Sequence, residues 1–367
     1  EFRKHDSETP LILITADDGR SYSKPMLSTG FTKSHSVNDL AQLDAGGMGK
    51  LLKASVWTMT AVSEIDTAAQ LVKVGDARTA IHYGKLVLAL GSEVIRPPLC
   101  GDGLERVYAV NDLLDYDDFR KAVAKNDAKK ICIIGGGLIG CEFTNDLLNG
   151  GFEVEAIDPL GYCLPTLLPE TAGKAVLAAL EEKGAACHFG LQVTAVNEAG
   201  DAVEVTLDNG DKVAADLVVS AVGVRPRVGL AATSGIATNR GIVTDRLLQT
   251  SAPNVYAMGD CAEVDGQVLV YVAPLMAAAR ALGQTLAGNP TPVTYPAMPV
   301  TIKTPACPVV VASPAPGTRG EWQIEADGRN VRAEFRGEGD ELLGFALTGD
   351  AVKEKMLLQK QLPPILD

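Results

Sequence analysis

The 367-residue sequence predicts an α/β protein in which strands and helices alternate, followed by a C-terminal α+β segment. Apolar runs typical of buried parallel strands lie at 11–15, 85–90, 131–134 and 217–222, with amphipathic stretches between several of them. From about residue 299 the pattern changes to closely spaced strands with one final helix. The hydrophobic fraction of 46% and charged fraction of 22% describe a folded globular chain of two or three domains.

The other elements follow from turn residues and periodicity. After the first strand we expect helical segments over about 36–53 and hairpin-like strands over about 54–83, turned by Gly75-Asp76. Asn111 is a suitable N-cap for a helix over about 112–125. The remaining predictions are helices near 138–149, 170–183, 275–287 and 351–360, strands near 152–157, 185–196, 255–258, 299–311, 321–326, 331–336 and 342–348, and a hairpin turn at 208–210.

Charge and composition exclude several classes of function. Lys and Arg number 33 and Asp and Glu 46, and the resulting net charge of −13 disfavours binding to nucleic acid or to an anionic membrane. No run approaches the 18 apolar residues of a membrane-spanning helix. The seven cysteines include no Cys-x-x-Cys pair and the four histidines are scattered, so neither a metal site nor a disulfide framework is expected. A reducing, cytoplasmic location follows as the default.

A glycine-rich loop carries the first chemical signal. Residues 135–140 match G-x-G-x-x-G with Gly135, Gly137 and Gly140, directly after an apolar strand and at the start of a helix. Such a loop lets the backbone approach a pyrophosphate at the helix N-terminus. Asp158 ends the next strand, where it would bind both ribose hydroxyls and favour NADH over NADPH. The alternatives are a glycine-rich turn without ligand and, for Asp158, a surface residue.

Three strand ends carry the second signal. The apolar strand before Gly259 and Asp260 places a carboxylate at the carboxyl edge of a sheet, where doubly wound folds bind ligands. Gly91 and Gly223 close two further apolar strands in the same way. These turns fit a chain that crosses twice between two domains.

The order of these elements resembles the two-dinucleotide-binding flavoprotein reductases, which are FAD-dependent pyridine nucleotide oxidoreductases. Segments 20–28 (RSYSKPMLS) and 300–305 (VTIKTP) are similar to bacterial NADH:rubredoxin reductases within that family. The resemblance covers almost the whole chain. It implies two Rossmann-like dinucleotide-binding domains with parallel sheets in three layers, plus a C-terminal α+β domain.

The resemblance also implies a division into domains. Residues 1–97 and 224–297 would form the two parts of an FAD-binding domain, 98–223 an NAD-binding domain and 298–367 the C-terminal domain. The expected cofactors are FAD and NAD(H), and the expected partner is rubredoxin or a similar small iron protein.

Roles for individual residues are likewise implied by the family pattern. Lys24 and Glu142 would pair beside the flavin N5 as catalytic residues, where an ammonium stabilises the negative charge that arrives with hydride. Their alternatives are an ordinary loop lysine and a first-turn acid that stabilises a helix. The implied cofactor-binding residues are Asp17, Lys24, Pro25, Gly91, Gly135, Gly137, Gly140, Asp158, Gly223, Gly259, Asp260 and Lys303. Lys303 could equally be a surface residue.

The expected class of electron acceptor is inferred from the cysteines that this sequence lacks near the flavin. Disulfide reductases of this fold carry a Cys-x₄-Cys pair beside the flavin, which this chain lacks, and Ser28 and Thr29 stand where peroxide-reducing relatives carry one cysteine. Reduced FAD would therefore deliver electrons to a separate carrier, most simply one at a time. Rubredoxin is the expected acceptor. A flavorubredoxin, or a [2Fe–2S] ferredoxin of an oxygenase, stays open as an alternative, as does a non-enzymatic nucleotide-sensing protein.

One departure from the family pattern concerns the FAD-binding unit. In the family, this unit begins with a strand, a glycine loop and a helix. The strand and the loop are not found in this sequence, and its first residues (EFRK) are typical of the end of that helix. We expect roughly 20 residues to precede it in the family pattern. The prediction is that the 367 residues alone bind FAD weakly or not at all.

Overall fold

The computed structural model describes residues 1–75 and 79–367. The N-terminal part contains strands β1 (Ile12–Ile14), β2 (Ser21–Tyr22), β3 (Ala41–Leu43), β4 (Ser55–Trp57), β5 (Val62–Asp66), β6 (Leu71–Val74), β7 (Thr79–His82), β8 (Leu86–Leu88) and β9 (Ser92–Val94), and helices α1 (Val37–Leu40) and α2 (Ala45–Leu52). A 3-10 helix at Lys24–Thr29 precedes α1. β1 pairs with β4 in parallel, and β5, β6 and β7 form an antiparallel sheet.

Two predictions for this part were wrong in detail. The first strand was expected to be buried, yet Ile12 is 43% and Leu13 38% exposed, because β1 has one neighbouring strand, β4, among the described residues. The helical segments expected over 36–53 are present as α1 and α2, but the short strand β3, which was not predicted, lies between them and pairs with β2. The predicted Gly75-Asp76 turn includes Asp76, which lies outside the described residues.

The middle of the chain builds a parallel sheet. It contains β10 (Val107–Tyr108), α3 (Leu113–Lys125), β11 (Lys130–Ile134), α4 (Leu138–Asn149), β12 (Glu153–Asp158), α5 (Glu170–Glu182), β13 (Ala186–Phe189), β14 (Val193–Ala199), β15 (Ala202–Leu207), β16 (Lys212–Ala215) and β17 (Leu217–Ser220). The parallel strand order is β10-β17-β11-β12-β13, and β14, β15 and β16 form a separate antiparallel sheet. The hairpin predicted at 208–210 joins β15 to β16, and Gly210 has a φ of 90° there.

The side chains of β11 point alternately to the two faces of the parallel sheet, which is the middle of three layers. Ile131 and Ile133 pack with Phe143 and Leu147 of α4, and therefore face the helices. Cys132 and Ile134 pack on the other side, in the cluster formed by the antiparallel sheet. Because successive side chains in a strand point to opposite faces, a fully apolar strand is what a sheet covered on both sides requires.

The helix α3 covers one face of the sheet, and its N-cap lies one residue later than predicted. Asp112 is the N-cap, since its side chain accepts a hydrogen bond from the Asp115 amide. The prediction of Asn111 as the cap was therefore wrong. Asn111 is nevertheless buried, and its side chain has other partners, described below.

The chain then returns to the first part through β18 (Val224–Pro226), α6 (Gly229–Thr233), β19 (Ile242–Thr244), β20 (Val255–Ala257), β21 (Ala262–Val264) and α7 (Val272–Leu286). β20 lies parallel to β8 and β18 antiparallel to β9, so distant parts of the chain meet at the ends of β8 and β20. A short 3-10 helix at Gly259–Cys261 follows β20.

The C-terminal part is an antiparallel sheet of β22 (Val300–Ile302), β23 (Val309–Ala312), β24 (Glu321–Asp327), β25 (Asn330–Arg336) and β26 (Leu342–Thr348), in the order β22-β23-β26-β25-β24. One face packs on α5, and the other packs on the last helix, α8 (Lys355–Gln359). The single helix expected near 351–360 is a 3-10 helix over Gly349–Glu354 followed by α8. The α/β class with parallel sheets and a C-terminal α+β segment is confirmed; the domain boundaries stay predictions.

Candidate active site

The glycine loop lies between β11 and α4, and each glycine has a different steric role. Gly135 has a φ of 114°, and a Cβ there would lie 2.6 Å from the carbonyl oxygen of Ala221. A Cβ on Gly140 would lie 1.8 Å from the carbonyl oxygen of Gly135. A Cβ on Gly137 would meet nothing within 4 Å, and no side chain caps α4 at this residue. The N-terminus of α4 therefore presents backbone N–H groups to open space, which suits an anionic group such as a pyrophosphate.

Asp158 lies against this loop, at the end of β12. β12 pairs with β11 in parallel, so the two strand ends are neighbours. Its Oδ2 accepts a hydrogen bond of 2.6 Å from the Gly136 amide, and Oδ1 accepts one of 2.8 Å from the Leu160 amide. The side chain is buried. The structure thus brings the predicted acid and the predicted loop together, and the carboxylate also fixes the shape of the loop.

Glu142 is the fifth residue of α4, so it lies in the second turn and not in the first turn that the sequence predicted, and it is 1% exposed. Its Oε2 accepts hydrogen bonds of 2.5 Å from the Ser28 hydroxyl and 2.5 Å from Lys303 Nζ. Its Oε1 accepts one of 2.8 Å from the Lys303 amide. These donors compensate for the burial of a carboxylate.

The predicted pairing of Lys24 with Glu142 was wrong. Glu142 pairs with Lys303 instead, because Lys303 directly follows β22 and the C-terminal sheet brings it next to α4. Lys24 instead donates a hydrogen bond of 2.8 Å to Asn111 Oδ1, and its Nζ lies 3.7 Å from Asp260 Oδ2. Burial lowers the pKa of Lys24, and the neighbouring Asp260 opposes that shift.

A closed ring of polar contacts surrounds Lys24. Besides the two contacts of Lys24, Asn111 Nδ2 donates a hydrogen bond of 2.8 Å to the carbonyl oxygen of Ser92. The Ser92 hydroxyl donates one of 2.9 Å to Asp260 Oδ2. Both Ser92 and Asn111 are buried. The ring joins the 3-10 helix at Lys24–Thr29, the start of β9 and the strand end after β20.

Sequence reasoning had missed Ser92 and Asn111 as site residues. The signal for Ser92 was its position directly after Gly91, at one of the strand ends already singled out. For Asn111 the sequence offered only a capping interpretation. Its role depends on contacts with residues 19 and 87 positions away, which no local pattern encodes.

The glycines at the strand ends shape the crevice beside this ring. Gly91 and Gly259 have φ angles of +69° and +75°, values that L-amino acids with a side chain rarely adopt. A Cβ on Gly91 would meet nothing within 4 Å, so its backbone borders open space. Gly223, with a φ of +113°, links β17 to β18 and accepts a backbone hydrogen bond of 2.9 Å from Ile95. Pro25 lies in the first turn of the 3-10 helix that Lys24 begins.

Asp17 follows β1 and lies apart from the polar ring, with Asp18 and Asp112 as its charged neighbours. Its Oδ1 accepts a hydrogen bond of 2.5 Å from the Asp18 amide. Burial raises the pKa of Asp17, and the neighbouring side chain of Asp18 raises it further, whereas the hydrogen bond from the Asp18 amide opposes the shift. Asp18 is held in turn by Arg20, whose Nε lies 2.6 Å from Asp18 Oδ2.

The cysteines lie in packed regions or away from the ring. Cys261 is next to Asp260, but its Sγ contacts the amide of Leu90 at 3.3 Å and the carbonyl oxygen of Leu88 at 3.4 Å. Burial raises the pKa of this thiol. Within residues 1–75 and 79–367, no group of three or more His, Cys, Asp and Glu side chains is placed to hold a metal ion. None of the helices in that same part of the chain combines the length and the apolar character needed to cross a membrane.

Comparison with known proteins identifies the family. Residues 2–284 match the family model described as pyridine nucleotide-disulphide oxidoreductase. The chain belongs to the pyridine nucleotide-disulphide oxidoreductase family. Residues 292–362 match a second model, described as a rubredoxin-binding C-terminal domain. The resemblance inferred from the sequence is therefore confirmed.

Relatives within the oxidoreductase family extend over nearly the whole chain. It is 53% identical to a rubredoxin-NAD(+) reductase of Alcanivorax borkumensis, over 100% of this chain and 95% of the relative. It is 35% identical to a nitric oxide reductase FlRd-NAD(+) reductase of Aliivibrio fischeri, over 98% of this chain and 93% of the relative. A crystal structure of a ferredoxin reductase of Rhodopseudomonas palustris shares the fold, with a TM-score of 0.85 and 24% identity over 99% of this chain and 91% of that one.

Proposed function

We propose that the chain is an FAD-dependent oxidoreductase that passes electrons from NADH to rubredoxin. The observation that carries this proposal is the contact between Glu142 and Lys303. Glu142 lies on the helix that starts at the glycine loop, and Lys303 lies in the segment that matches a rubredoxin-binding domain. One ion pair thus connects the expected entry of electrons with the expected exit.

The glycine loop would hold the dinucleotide that enters. Backbone N–H groups at the start of α4 would bind the pyrophosphate, and the open space at Gly137 leaves room for it. Asp158 would accept hydrogen bonds from the adenosine ribose. Its negative charge would repel a 2′-phosphate, which is why we propose NADH rather than NADPH.

The polar ring would hold the flavin. Asp260 and Ser92 offer acceptors and donors for the ribityl chain, and Lys24 supplies a cation on the 3-10 helix beside it. When bound, FAD accepts a hydride from NADH and releases electrons singly. Lys303, held by Glu142, places a second positive charge next to α4, and positive charge in this region stabilises an electron-rich ring. Asp17 would bind the adenosine ribose of FAD.

The proposal includes two features that rest on the sequence. The FAD-binding domain would comprise 1–97 and 224–297, with 98–223 binding NAD(H) and 298–367 forming the C-terminal domain. The location would be the cytoplasm, where NADH and reduced thiols are found.

A second candidate acceptor is a flavorubredoxin. The similarity to the Aliivibrio fischeri protein, which is itself a nitric oxide reductase FlRd-NAD(+) reductase, favours it specifically. Identity is higher to the rubredoxin-NAD(+) reductase, at 53% against 35%. We therefore propose rubredoxin as the acceptor and flavorubredoxin as the alternative.

Stopped-flow absorbance tests the proposal. The protein carrying FAD is mixed with NADH, and oxidised rubredoxin, a [2Fe–2S] ferredoxin or a flavorubredoxin rubredoxin domain is then added in separate runs. We expect rapid bleaching by NADH and fastest recovery with rubredoxin. Bleaching without recovery by rubredoxin would overturn the proposed acceptor, and no bleaching would overturn the proposed enzyme.

A further inference from the structure

An exposed apolar pair lies on α8, in the C-terminal part of the fold. Met356 and Leu357 in α8 are each 61% exposed, although the neighbouring Leu358 is buried in the C-terminal core. Exposed apolar side chains are ordinary when they occur singly, but two adjacent ones beside a groove mark a contact surface. Such a groove of about 350 Å³ is lined by Pro296, Ala297, Met356, Gln359, Lys360, Leu362 and Pro364.

The same helix carries positive charge that its surroundings do not neutralise. Lys355 donates a hydrogen bond of 3.3 Å to the hydroxyl of Thr301, a neutral partner. In the part of the chain that the structure describes, neither Lys355 nor Lys360 has a carboxylate within ion-pair distance.

The acidic residues of this segment are already paired. Asp350 lies 2.6 Å from Lys353, and Glu354 lies 3.0 Å from the Nε of Arg332. The local surface is therefore basic and apolar, whereas the protein as a whole is acidic.

This surface is continuous with the proposed site through β22. Thr301 is an exposed residue of β22, Ile302 after it is buried, and Lys303 directly follows the strand. Lys355 contacts Thr301, and Lys303 contacts Glu142 at the start of α4. A partner seated on α8 would thus lie next to the residue that connects the C-terminal sheet to the nucleotide helix.

We propose that Lys355, Met356, Leu357 and Lys360, here called the α8 ridge, are the docking surface for the acidic iron protein that accepts the electrons. This rests on the proposed function and specifies which face of the C-terminal sheet the acceptor uses. Apolar side chains supply short-range contact, and the two ammonium groups attract an acidic partner against the long-range repulsion of the remaining protein. Weak redox complexes of this kind use small interfaces, for which one short helix is sufficient.

Two double variants separate the contribution of charge from that of apolar contact. K355E/K360E reverses the charge of the α8 ridge, and M356S/L357S removes its apolar contact. The matched control is K50E/L51S on α2, where an exposed lysine likewise precedes an exposed leucine. Each FAD-loaded protein is assayed with NADH and rubredoxin, and with NADH and ferricyanide, a small acceptor that needs no docking surface. Rubredoxin binding is also measured directly by NMR titration.

We expect K355E/K360E to raise the KM and the Kd for rubredoxin about tenfold at low salt, with the difference shrinking as salt screens the charges. M356S/L357S should raise both constants at every salt concentration. Ferricyanide reduction should stay unchanged in all variants, and the control should behave as the unchanged protein. If both ridge variants retain the original KM and Kd for rubredoxin, the docking surface lies elsewhere.

Two further outcomes overturn the inference for different reasons. If the unchanged protein reduces ferricyanide but not rubredoxin, the proposed function itself fails. If light scattering shows a dimer that M356S/L357S dissociates, the ridge is an interface between two copies of this chain instead.

Discussion

Lys303 and Glu142 are joined across 161 positions of sequence, with the lysine donating to the carboxylate through both its side chain and its backbone amide. The Ser28 hydroxyl donates to the same carboxylate. Three distant segments of the chain therefore converge on one buried side chain. Because a buried carboxylate is stable only while its donors are present, this contact fixes the C-terminal sheet to the nucleotide helix.

Replacing Lys303 with methionine should destabilise the protein strongly. The variant leaves Glu142 buried without its ammonium partner, and breaking a buried pair in this way costs about 3 to 5 kcal/mol. The free energy of unfolding, measured by urea denaturation, gives the loss. Lys353→Met is the control, since Lys353 and its partner Asp350 are highly exposed and such pairs contribute under about 1 kcal/mol.

A double-mutant cycle identifies the source of that loss. If the pair is coupled, Lys303→Met should cost less in a Glu142→Leu background than in the original protein. Equal losses in both backgrounds would mean that Lys303 stabilises the protein by other contacts, and would contradict the role assigned to the pair.

Two alanine variants in the glycine loop should separate binding from folding. Gly137→Ala should weaken NADH binding at least about tenfold with little change in Tm, because its methyl group enters the open space where the pyrophosphate is expected. Gly140→Ala should lower Tm as well, since its Cβ would lie 1.8 Å from the carbonyl oxygen of Gly135. Fluorescence titration with NADH and calorimetry provide the two measurements.

A third variant controls for the loss of glycine itself. A Cβ on Gly161 would also meet nothing within 4 Å, but the residue lies outside the glycine loop. Gly161→Ala should change neither Tm nor NADH binding. Unaltered NADH affinity in Gly137→Ala would show that the pyrophosphate is bound elsewhere.

Elements bounded by clear local signals, such as glycine turns and apolar runs, are the ones that the sequence predicts well. The helix expected near 138–149 has those bounds, because an apolar strand and a glycine loop come before it and Gly150 follows it. The strands predicted at 131–134 and 217–222 correspond to β11 (Lys130–Ile134) and β17 (Leu217–Ser220), because each consists mainly of apolar residues and both faces of their sheet are covered.

The misplaced features depend on contacts that are distant in sequence. The interpretation of Asn111 as a helix cap was locally reasonable, but its position against Lys24 and Ser92 is set by tertiary packing. The partner of Glu142 could not be read from spacing, since two lysines were available and the C-terminal sheet decides between them. Exposure of β1 likewise depends on which strands lie beside it, which periodicity does not show.

Asp158→Ser should shift the preference for nicotinamide cofactors. Loss of the carboxylate removes repulsion of a 2′-phosphate and also removes the acceptor for the Gly136 amide. We expect the ratio of kcat/KM for NADH to that for NADPH to fall at least about tenfold, the size of one lost hydrogen bond to a charged group. Leu160→Ser, which alters an exposed side chain nearby, should leave this ratio unchanged. A ratio that stays constant in Asp158→Ser would remove Asp158 from the ribose site.

Asn111→Ala should weaken flavin binding. The substitution removes the 2.8 Å acceptor of Lys24 Nζ and the donor to the Ser92 carbonyl, so the polar ring opens on two sides. We expect FAD affinity to fall about ten- to hundredfold, as for loss of a hydrogen bond to a charged group. Equilibrium titration with FAD is the measurement. Asn149→Ala, which loses an exposed contact with Thr32, should match the unchanged protein, and equal affinities for all three would refute the role of the ring.

A pH-dependent contribution to stability should come from Glu155 on β12. Burial raises its pKa, but hydrogen bonds from Lys130 and His188 on the neighbouring strands outweigh this and hold the pKa below its ordinary 4.5. A lowered pKa in an acid stabilises the fold above the ordinary value, and the contribution is lost as the pH falls through the lowered one. Glu155→Gln should therefore cost about 1.5 to 3 kcal/mol at pH 7, with the difference from the unchanged protein shrinking below pH 4.5. Urea denaturation from pH 7 to pH 3 measures both proteins, and a difference that is constant over this range would mean that packing, not charge, explains the effect.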